Sequence, residues 1–139
     1  MKNFTLALAI IILVSCSQDN TQDSLTIFTS RQPQLIEPIL ERYSEKTGIE
    51  VTLLSGNAQQ LMERIDIEGK DSKADIFMTV DAGVLWQASE RGILESVKSE
   101  ILNTNIPSHL RDVDGEWFGL SKRARTIVFS NDQFSKEDF

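Results

Sequence analysis

The chain has 139 residues, of which 40% are hydrophobic and 25% charged, and its formal net charge is -7. This length suffices for one modest domain, and an acidic chain repels phosphate backbones, which argues against nucleic acid as a partner. The single cysteine cannot form an internal disulfide, and with one histidine no Cys/His cluster has the spacing of a zinc site.

The first residues predict export and lipid attachment. Residues 4–14 form an apolar run that is shorter than the roughly 20 residues needed to cross a bilayer, but it suits a signal peptide. Leu13-Val14-Ser15-Cys16 resembles a bacterial lipobox, in which the chain is cut before the cysteine and the thiol receives lipid. We therefore predict a lipoprotein signal peptide at 1–15, lipidation of Cys16, and a flexible polar tether at 16–24. A secretory signal with a chance cysteine is the alternative.

Strand-forming runs recur along the rest of the chain. Residues 25–29, 49–54 and 74–80 are predicted to be three strands, each bounded by polar residues or glycine. Two later runs, 117–120 and 126–129, also have the composition of strands. The first three runs alternate with helical patterns.

The first helix is predicted to begin at Pro33 and to end at Lys46-Thr47-Gly48, where a cation precedes a terminating glycine. Pro38 lies inside this pattern and predicts a kink or a late first turn. The helix has an apolar face that is expected to pack into a core, and it consists of Leu35, Ile36, Ile39, Leu40 and Tyr43.

Two further helices and a short one follow. The second helix has an apolar side formed by Leu61, Met62 and Ile65. Asp81 is predicted to cap the third helix, which ends near Arg91-Gly92, and residues 100–103 predict a short helical turn.

The order β-α-β-α-β-α predicts an α/β fold with a mainly parallel sheet flanked by helices. Ligands of such sheets bind beyond the carboxyl ends of the strands. The loops after Thr29, Leu54 and Val80 should therefore share one edge of the sheet.

Four stretches of the body carry a family pattern: SRQ at 30–32, TGIEV at 47–51, ADIFMTVDAG at 74–83 and EWFGLSKRAR at 116–125. With them, the chain from Leu25 onward resembles the iron(III)-type periplasmic binding proteins of ABC importers. The resemblance implies a two-lobed protein, with its first lobe at 25–121 and a crossover strand and the start of the second lobe at 122–139. Family members are more than twice as long, so the second lobe is expected to be largely missing.

The resemblance also implies a function. It implies a monomeric lipoprotein in the periplasm or on the cell surface that captures Fe(III), with carbonate, citrate or phosphate as a co-ligand, and delivers it to a permease. The family holds iron mainly through phenolates, including a later tyrosine pair that this chain lacks. Gln32 and Pro33 stand where many relatives carry His or Tyr. No metal ligand is therefore identifiable, and residues 16–139 alone are expected to bind iron weakly or not at all.

Five residues are candidates for contact with the ligand. Arg31 and Gln32 lie in the loop after the first strand, and a plain helix-entry loop is the alternative. Asp81 follows the third strand, where N-capping explains it equally well. Arg123 and Arg125 share one face if the chain is extended there, and a guanidinium could hold an anionic co-ligand. A solvated strand edge is the alternative for these two.

Other conspicuous residues favour structural roles. Ser55-Gly56-Asn57 is expected to form a turn rather than an anion site, and Tyr43 to pack on the first helix. His109 is expected on the surface, and Trp86 and Trp117 in a core or hinge. Since no nucleophile, base and orienting group occur together, the chain is not expected to be an enzyme. The remaining alternatives are the same fold carrying another small anion or an organic acid, and a sensing lipoprotein without transport.

Overall fold

A computed structural model describes residues 23–124, 126–130 and 132–138. They form two compact units, the first containing residues 23–57 and 73–78 and the second containing 58–72 and the described part of 79–138. No helix among the described residues is both long and apolar enough to span a membrane.

The first unit is built on a three-stranded parallel sheet with the order β2-β1-β3, which confirms the predicted α/β fold. The strands are β1 (Ser24–Thr29), β2 (Glu50–Ser55) and β3 (Ile76–Met78). β1 pairs with β2 from Ser24–Glu50 through Thr29–Ser55, and with β3 from Ile27–Ile76 through Thr29–Met78. The central strand supplies three consecutive buried residues, Ile27, Phe28 and Thr29, as expected of a strand covered on both faces.

β3 is shorter than the predicted strand at 74–80, and the carboxylate of Asp75 explains its start. The backbone N–H of Asp75 donates to the Thr26 carbonyl at 2.9 Å. The Thr26 N–H, in turn, donates to Asp75 Oδ2 at 2.7 Å instead of to a backbone carbonyl. At the first position of this ladder, a side-chain oxygen thus takes the place of the backbone carbonyl that a strand would supply.

Helix α1 (Pro33–Thr47) begins and ends where the sequence predicts. Pro33 occupies the first turn, where its missing N–H is no loss. Gly48 adopts a φ of 75° and donates its N–H to the Ser44 carbonyl at 2.8 Å. The helix continues through Pro38, so the predicted late first turn is wrong.

The apolar face of α1 was expected to be buried, and this expectation is wrong for three residues. Leu35, Ile39 and Tyr43 are exposed, and Tyr43 keeps 40% of its surface in solvent. These side chains follow one another at four-residue intervals and therefore form one stripe. A periodic pattern identifies the apolar side of a helix, but it does not say what covers that side.

The second unit contains α2 (Ala58–Glu68), α3 (Ala82–Glu90) and α4 (Glu100–Asn105). Short 3-10 helices lie at Gly69–Asp71, Ser108–Leu110 and Lys136–Asp138. The predicted apolar side of α2 is buried, since Leu61, Met62 and Ile65 expose 9% or less of their surface.

Helices α2 and α3 contact each other, and polar contacts also connect this part of the second unit. Arg91 Nη1 lies 3.4 Å from Asp66 Oδ2, and Gln59 Nε2 donates to Gln87 Oε1 at 3.0 Å. Both contacts are solvent-exposed and therefore add little to stability.

The two later strand predictions are not realised among the described residues. Residues 117–120 contribute only one isolated antiparallel bridge, from Phe118 to Arg111. Residues 126–130 form no strand. The division of the chain at 121/122 into a first lobe and a crossover segment stays a prediction.

Candidate functional site

The carboxyl edge of the sheet forms the candidate site, which we call the rim and define as residues 30–32 and 56–57. Thr29, at the end of β1, is paired with Ser55 at the end of β2 and with Met78 at the end of β3. The chain leaves β1 and β2 at neighbouring points. This confirms the predicted meeting of the loops after the first two strands.

Hydrogen bonds hold the first loop on both sides. The Ser30 N–H donates to the Met78 carbonyl at 3.0 Å, and the Gly56 N–H donates to the Thr29 carbonyl at 3.0 Å. Thr29 is fully buried, and its Oγ1 accepts the Arg31 N–H at 3.0 Å. The backbone that presents Arg31 is therefore fixed by β3 on one side and by its own strand on the other.

Arg31 and Gln32 are the two candidate residues that the rim brings together. The Arg31 side chain is half-buried and makes no hydrogen bond or ion pair to the described residues. Gln32 is exposed at the N-cap position of α1, and its Oε1 accepts a bond from Gln34 Nε2 at 3.2 Å. A guanidinium without a protein partner can bind an anion bidentately, whereas an amide is a weak, neutral ligand.

Ser30 is a rim residue that sequence reasoning did not single out. Its Oγ is buried and has no hydrogen-bond partner in the described part of the chain. A buried hydroxyl without a partner is destabilising, so this position suits a bound water or ligand oxygen. Its place directly after a buried strand was the one available sequence signal.

Asp81 belongs to the second unit, and it caps α3. Its Oδ1 accepts the Gly83 N–H at 2.9 Å and the Val84 N–H at 3.4 Å. The Thr79 hydroxyl donates to the Asp81 carbonyl at 2.5 Å, which fixes the turn into the helix. The capping interpretation is confirmed, and contact between Asp81 and a ligand stays a prediction.

The remaining candidates lie late in the chain or at its start. Arg123 is in the second unit, exposed and outside any helix or strand. Its side chain makes no hydrogen bond or ion pair to the described residues. Arg125 and Cys16 lie outside the described residues, so the paired face of Arg123 and Arg125 and the lipidation of Cys16 stay predictions.

Residues expected to be structural have mixed outcomes. His109 is exposed in the 3-10 helix Ser108–Leu110, as predicted. Trp86 is 56% exposed, so its expected core packing is wrong. Trp117 is half-buried, and its Nε1 is buried without a hydrogen-bond partner among the described residues.

A tight turn precedes Trp117 in the second unit. Asp112 Oδ2 accepts the N–H of Asp114 at 2.9 Å and that of Glu116 at 3.3 Å. The Glu116 carboxylate also accepts the Ser89 hydroxyl at 2.5 Å, which connects α3 to this turn. These contacts give the carboxylates of Asp112 and Glu116 structural roles. Within the described chain, no group of three or more His, Cys, Asp or Glu side chains could hold a metal ion.

A family model described as bacterial extracellular solute-binding protein matches residues 28–138. Iron uptake protein A1 of Synechocystis sp. (strain ATCC 27184 / PCC 6803 / Kazusa) is 38% identical over 97% of this chain, and the match covers 40% of that protein.

Two solved structures extend the comparison. The Trichodesmium protein IdiA (FutA), in complex with iron and citrate ligands, is 42% identical with a TM-score of 0.66, over 68% of this chain and 30% of that one. Apo FutA2 from Synechocystis PCC6803 is 36% identical with a TM-score of 0.75, over 85% of this chain and 36% of that one. The chain thus spans between 30% and 40% of the length of these relatives.

Proposed function

The chain belongs to the family of bacterial extracellular solute-binding proteins, and we propose that it takes part in the capture of ferric iron for an ABC importer. This family is non-enzymatic, which confirms the sequence prediction that the chain is not an enzyme. The observation that carries iron as the solute is the 38% identity with iron uptake protein A1 over 97% of the chain. A permease is the partner that such a function requires.

The iron is proposed to arrive with an anionic co-ligand such as citrate, carbonate or phosphate. One relative was solved with iron and citrate together. The guanidinium of Arg31 repels a bare ferric ion and attracts a carboxylate, so it contacts the anion rather than the metal. The Ser30 hydroxyl can donate to an anion oxygen, and the N-terminal end of α1 adds a favourable field.

Gln32, Asp81, Arg123 and Arg125 remain candidates for further contacts with the loaded anion. Ferric iron itself prefers anionic oxygen ligands, and the rim presents none. We therefore assign the rim to the anion and leave the metal ligands unassigned. In this scheme, ligand binding favours the closed state of the binding protein, which the permease then recognises.

The site is tested by ferric uptake in source cells whose chromosomal gene carries a single substitution. In the Arg31→Ala variant, the ferric citrate concentration for half-maximal ⁵⁵Fe uptake should rise by about tenfold or more, because a charge-assisted contact is lost. Arg42→Ala is the matched control, since Arg42 lies on α1 and its side chain donates, among the described residues, only to the Pro38 carbonyl. Equal uptake by the Arg31 variant and the control, at equal protein levels, would remove Arg31 from the site.

The lipid anchor on Cys16 is tested separately. The Cys16→Ser variant should leave the membrane fraction and lose labelling by radioactive glycerol, because serine cannot form the thioether that carries the lipid. Gln22→Ala, a change within the predicted tether, should stay membrane-bound and labelled. Membrane retention of the Cys16→Ser variant would contradict the anchor without affecting the proposal for iron.

A further inference from the structure

Among the described residues, no strand pairs with the outer edge of β2. The sheet order β2-β1-β3 places β2 at one side. The Glu50 N–H donates at 3.1 Å to the carbonyl of Asp23, which directly precedes β1, and the Gly56 N–H donates at 3.0 Å to the Thr29 carbonyl at the end of β1. Because backbone groups alternate in direction along a strand, the even-numbered residues of β2 direct their N–H and C=O groups to β1.

The odd-numbered residues of β2 consequently point their N–H and C=O groups away from β1. These residues are Val51, Leu53 and Ser55, and no described strand lies on the outer side of β2 to bond these groups. Their main-chain groups form a ready template for an added strand. A strand that docks there satisfies these groups by β-augmentation.

A groove of about 630 Å³ lies between α1 and this edge. Leu40 of α1 and Val51 and Leu53 of β2 form its apolar part. Val51 and Leu53 also carry the outward backbone groups, so a strand that bonds to them lies beside the groove. Every second side chain of that strand then points toward the groove.

The groove is bordered by three carboxylates, Glu37, Glu41 and Glu45. All three are exposed, and none has an ion pair or hydrogen bond to a described residue. The ion pairs of the described chain, Arg64–Glu68 and Arg91–Asp66, lie in the second unit. This surface therefore carries negative charge that the described residues do not neutralise.

The spacing of the carboxylates suits a strand. Residues four apart on a helix rise by about 6 Å, and residues two apart on a strand rise by about 6.6 Å. A strand that carries a cation at every second position thus offers one cation to each carboxylate. A second copy that paired through its own β2 edge would bring a like-charged row instead, so charge opposes self-pairing.

We propose that the β2 edge and its groove form a docking site for an extended segment of a partner protein with lysine or arginine at alternate positions. The segment adds to the sheet beside β2 and directs its cations to Glu37, Glu41 and Glu45. Long lysine and arginine side chains can cover the apolar part of the groove with their methylenes and still reach the carboxylates. This inference is independent of the proposed solute.

The test uses the full chain and a capped seven-residue peptide that alternates lysine and threonine. Amide hydrogen exchange, read by NMR with and without the peptide, reports which backbone groups become protected. The N–H groups of Val51 and Leu53 should gain protection, whereas those of Thr52 and Leu54, already bonded to β1, should not change. Binding without this alternation, or no binding at all, overturns the proposal.

Charge reversal and charge removal complete the test. A peptide that alternates glutamate and threonine should not bind. The triple variant Glu37→Gln, Glu41→Gln, Glu45→Gln should weaken binding of the lysine peptide by about tenfold, the combined effect expected of three exposed ion pairs. The control is the triple variant Glu63→Gln, Glu90→Gln, Glu95→Gln, which removes the same charge from the second unit. These three glutamates are exposed, and their side chains make no hydrogen bond or ion pair with a described residue.

The control triple should bind the peptide within about twofold of the original chain. Equal weakening in both triples would show that the peptide responds only to net charge, which contradicts a defined site. N-methylation of alternate peptide residues gives an independent check. Methylation of the residues whose N–H groups face β2 should abolish binding, whereas methylation of the other residues should not. Concentration-dependent dimerisation through β2, seen by sedimentation, would overturn the proposal, because the edge would then bind a second copy of this chain and not a partner protein.

Discussion

Replacement of Asp81 by alanine distinguishes a helix cap from a ligand contact. Asp81 Oδ1 accepts two N–H groups of α3, and the bond from Gly83 at 2.9 Å is shorter than the bond from Val84 at 3.4 Å. The residue is exposed, so water can satisfy part of what alanine removes. We therefore expect a loss of about 1 kcal/mol in the free energy of unfolding, in the middle of the range for N-caps.

An asparagine at the same position separates the cap from the charge. Asp81→Asn keeps an acceptor oxygen for the two N–H groups and loses only the favourable interaction of the carboxylate with the helix dipole. That interaction amounts to about 0.5 kcal/mol at an exposed position. The alanine variant should thus be the less stable of the two.

Urea denaturation followed by far-ultraviolet circular dichroism measures both variants. A loss of about 1 kcal/mol lowers the urea midpoint by about 0.5 M for a chain of this size. Asp114→Ala is the control, because the Asp114 side chain is exposed and makes no hydrogen bond or ion pair with a described residue, and its midpoint should not move. An unchanged midpoint for Asp81→Ala, together with impaired ferric uptake, would refute the capping argument and favour a ligand contact.

Two further substitutions test the packing of the second unit. Met62 has no exposed surface, so Met62→Ala should cost about 2–5 kcal/mol of stability, whereas Ile67→Ala on the same helix, at a residue 87% exposed, should cost less than about 0.5 kcal/mol. A Cβ at Gly119 would lie 2.7 Å from the Leu110 carbonyl oxygen, so Gly119→Ala should cost about 1–3 kcal/mol. Equal urea midpoints for Met62→Ala and Ile67→Ala, or an unchanged midpoint for Gly119→Ala, would contradict the described packing.

Local chemistry made parts of the fold predictable from sequence. The cap at Asp81, the left-handed glycine at Gly48 and the proline at the start of α1 depend on residues next to each other in the chain. The alternation of strands and helices likewise predicted a parallel sheet. Because loops after parallel strands meet at one edge of the sheet, the position of Arg31 in the rim was predictable as well.

Features that depend on distant residues were not predictable in the same way. The start of β3 is set by a carboxylate that replaces a backbone acceptor, which a strand-forming composition does not reveal. Residues 126–129 also have strand composition, yet a strand needs a partner ladder, and none of the described strands pairs with them. The buried Ser30 hydroxyl depends in the same way on three-dimensional surroundings that a serine in a loop does not disclose.

The central claim is that this chain serves the capture of ferric iron. The most direct test compares ⁵⁵Fe-citrate uptake in source cells with the gene deleted, in cells with the gene intact, and in deleted cells with the gene restored. We expect deletion to abolish high-affinity ferric uptake, restoration to recover it, and phosphate and organic-acid uptake to be unchanged. Unchanged ferric uptake in the deleted cells, with a loss of uptake of one of those other anions, would contradict this claim.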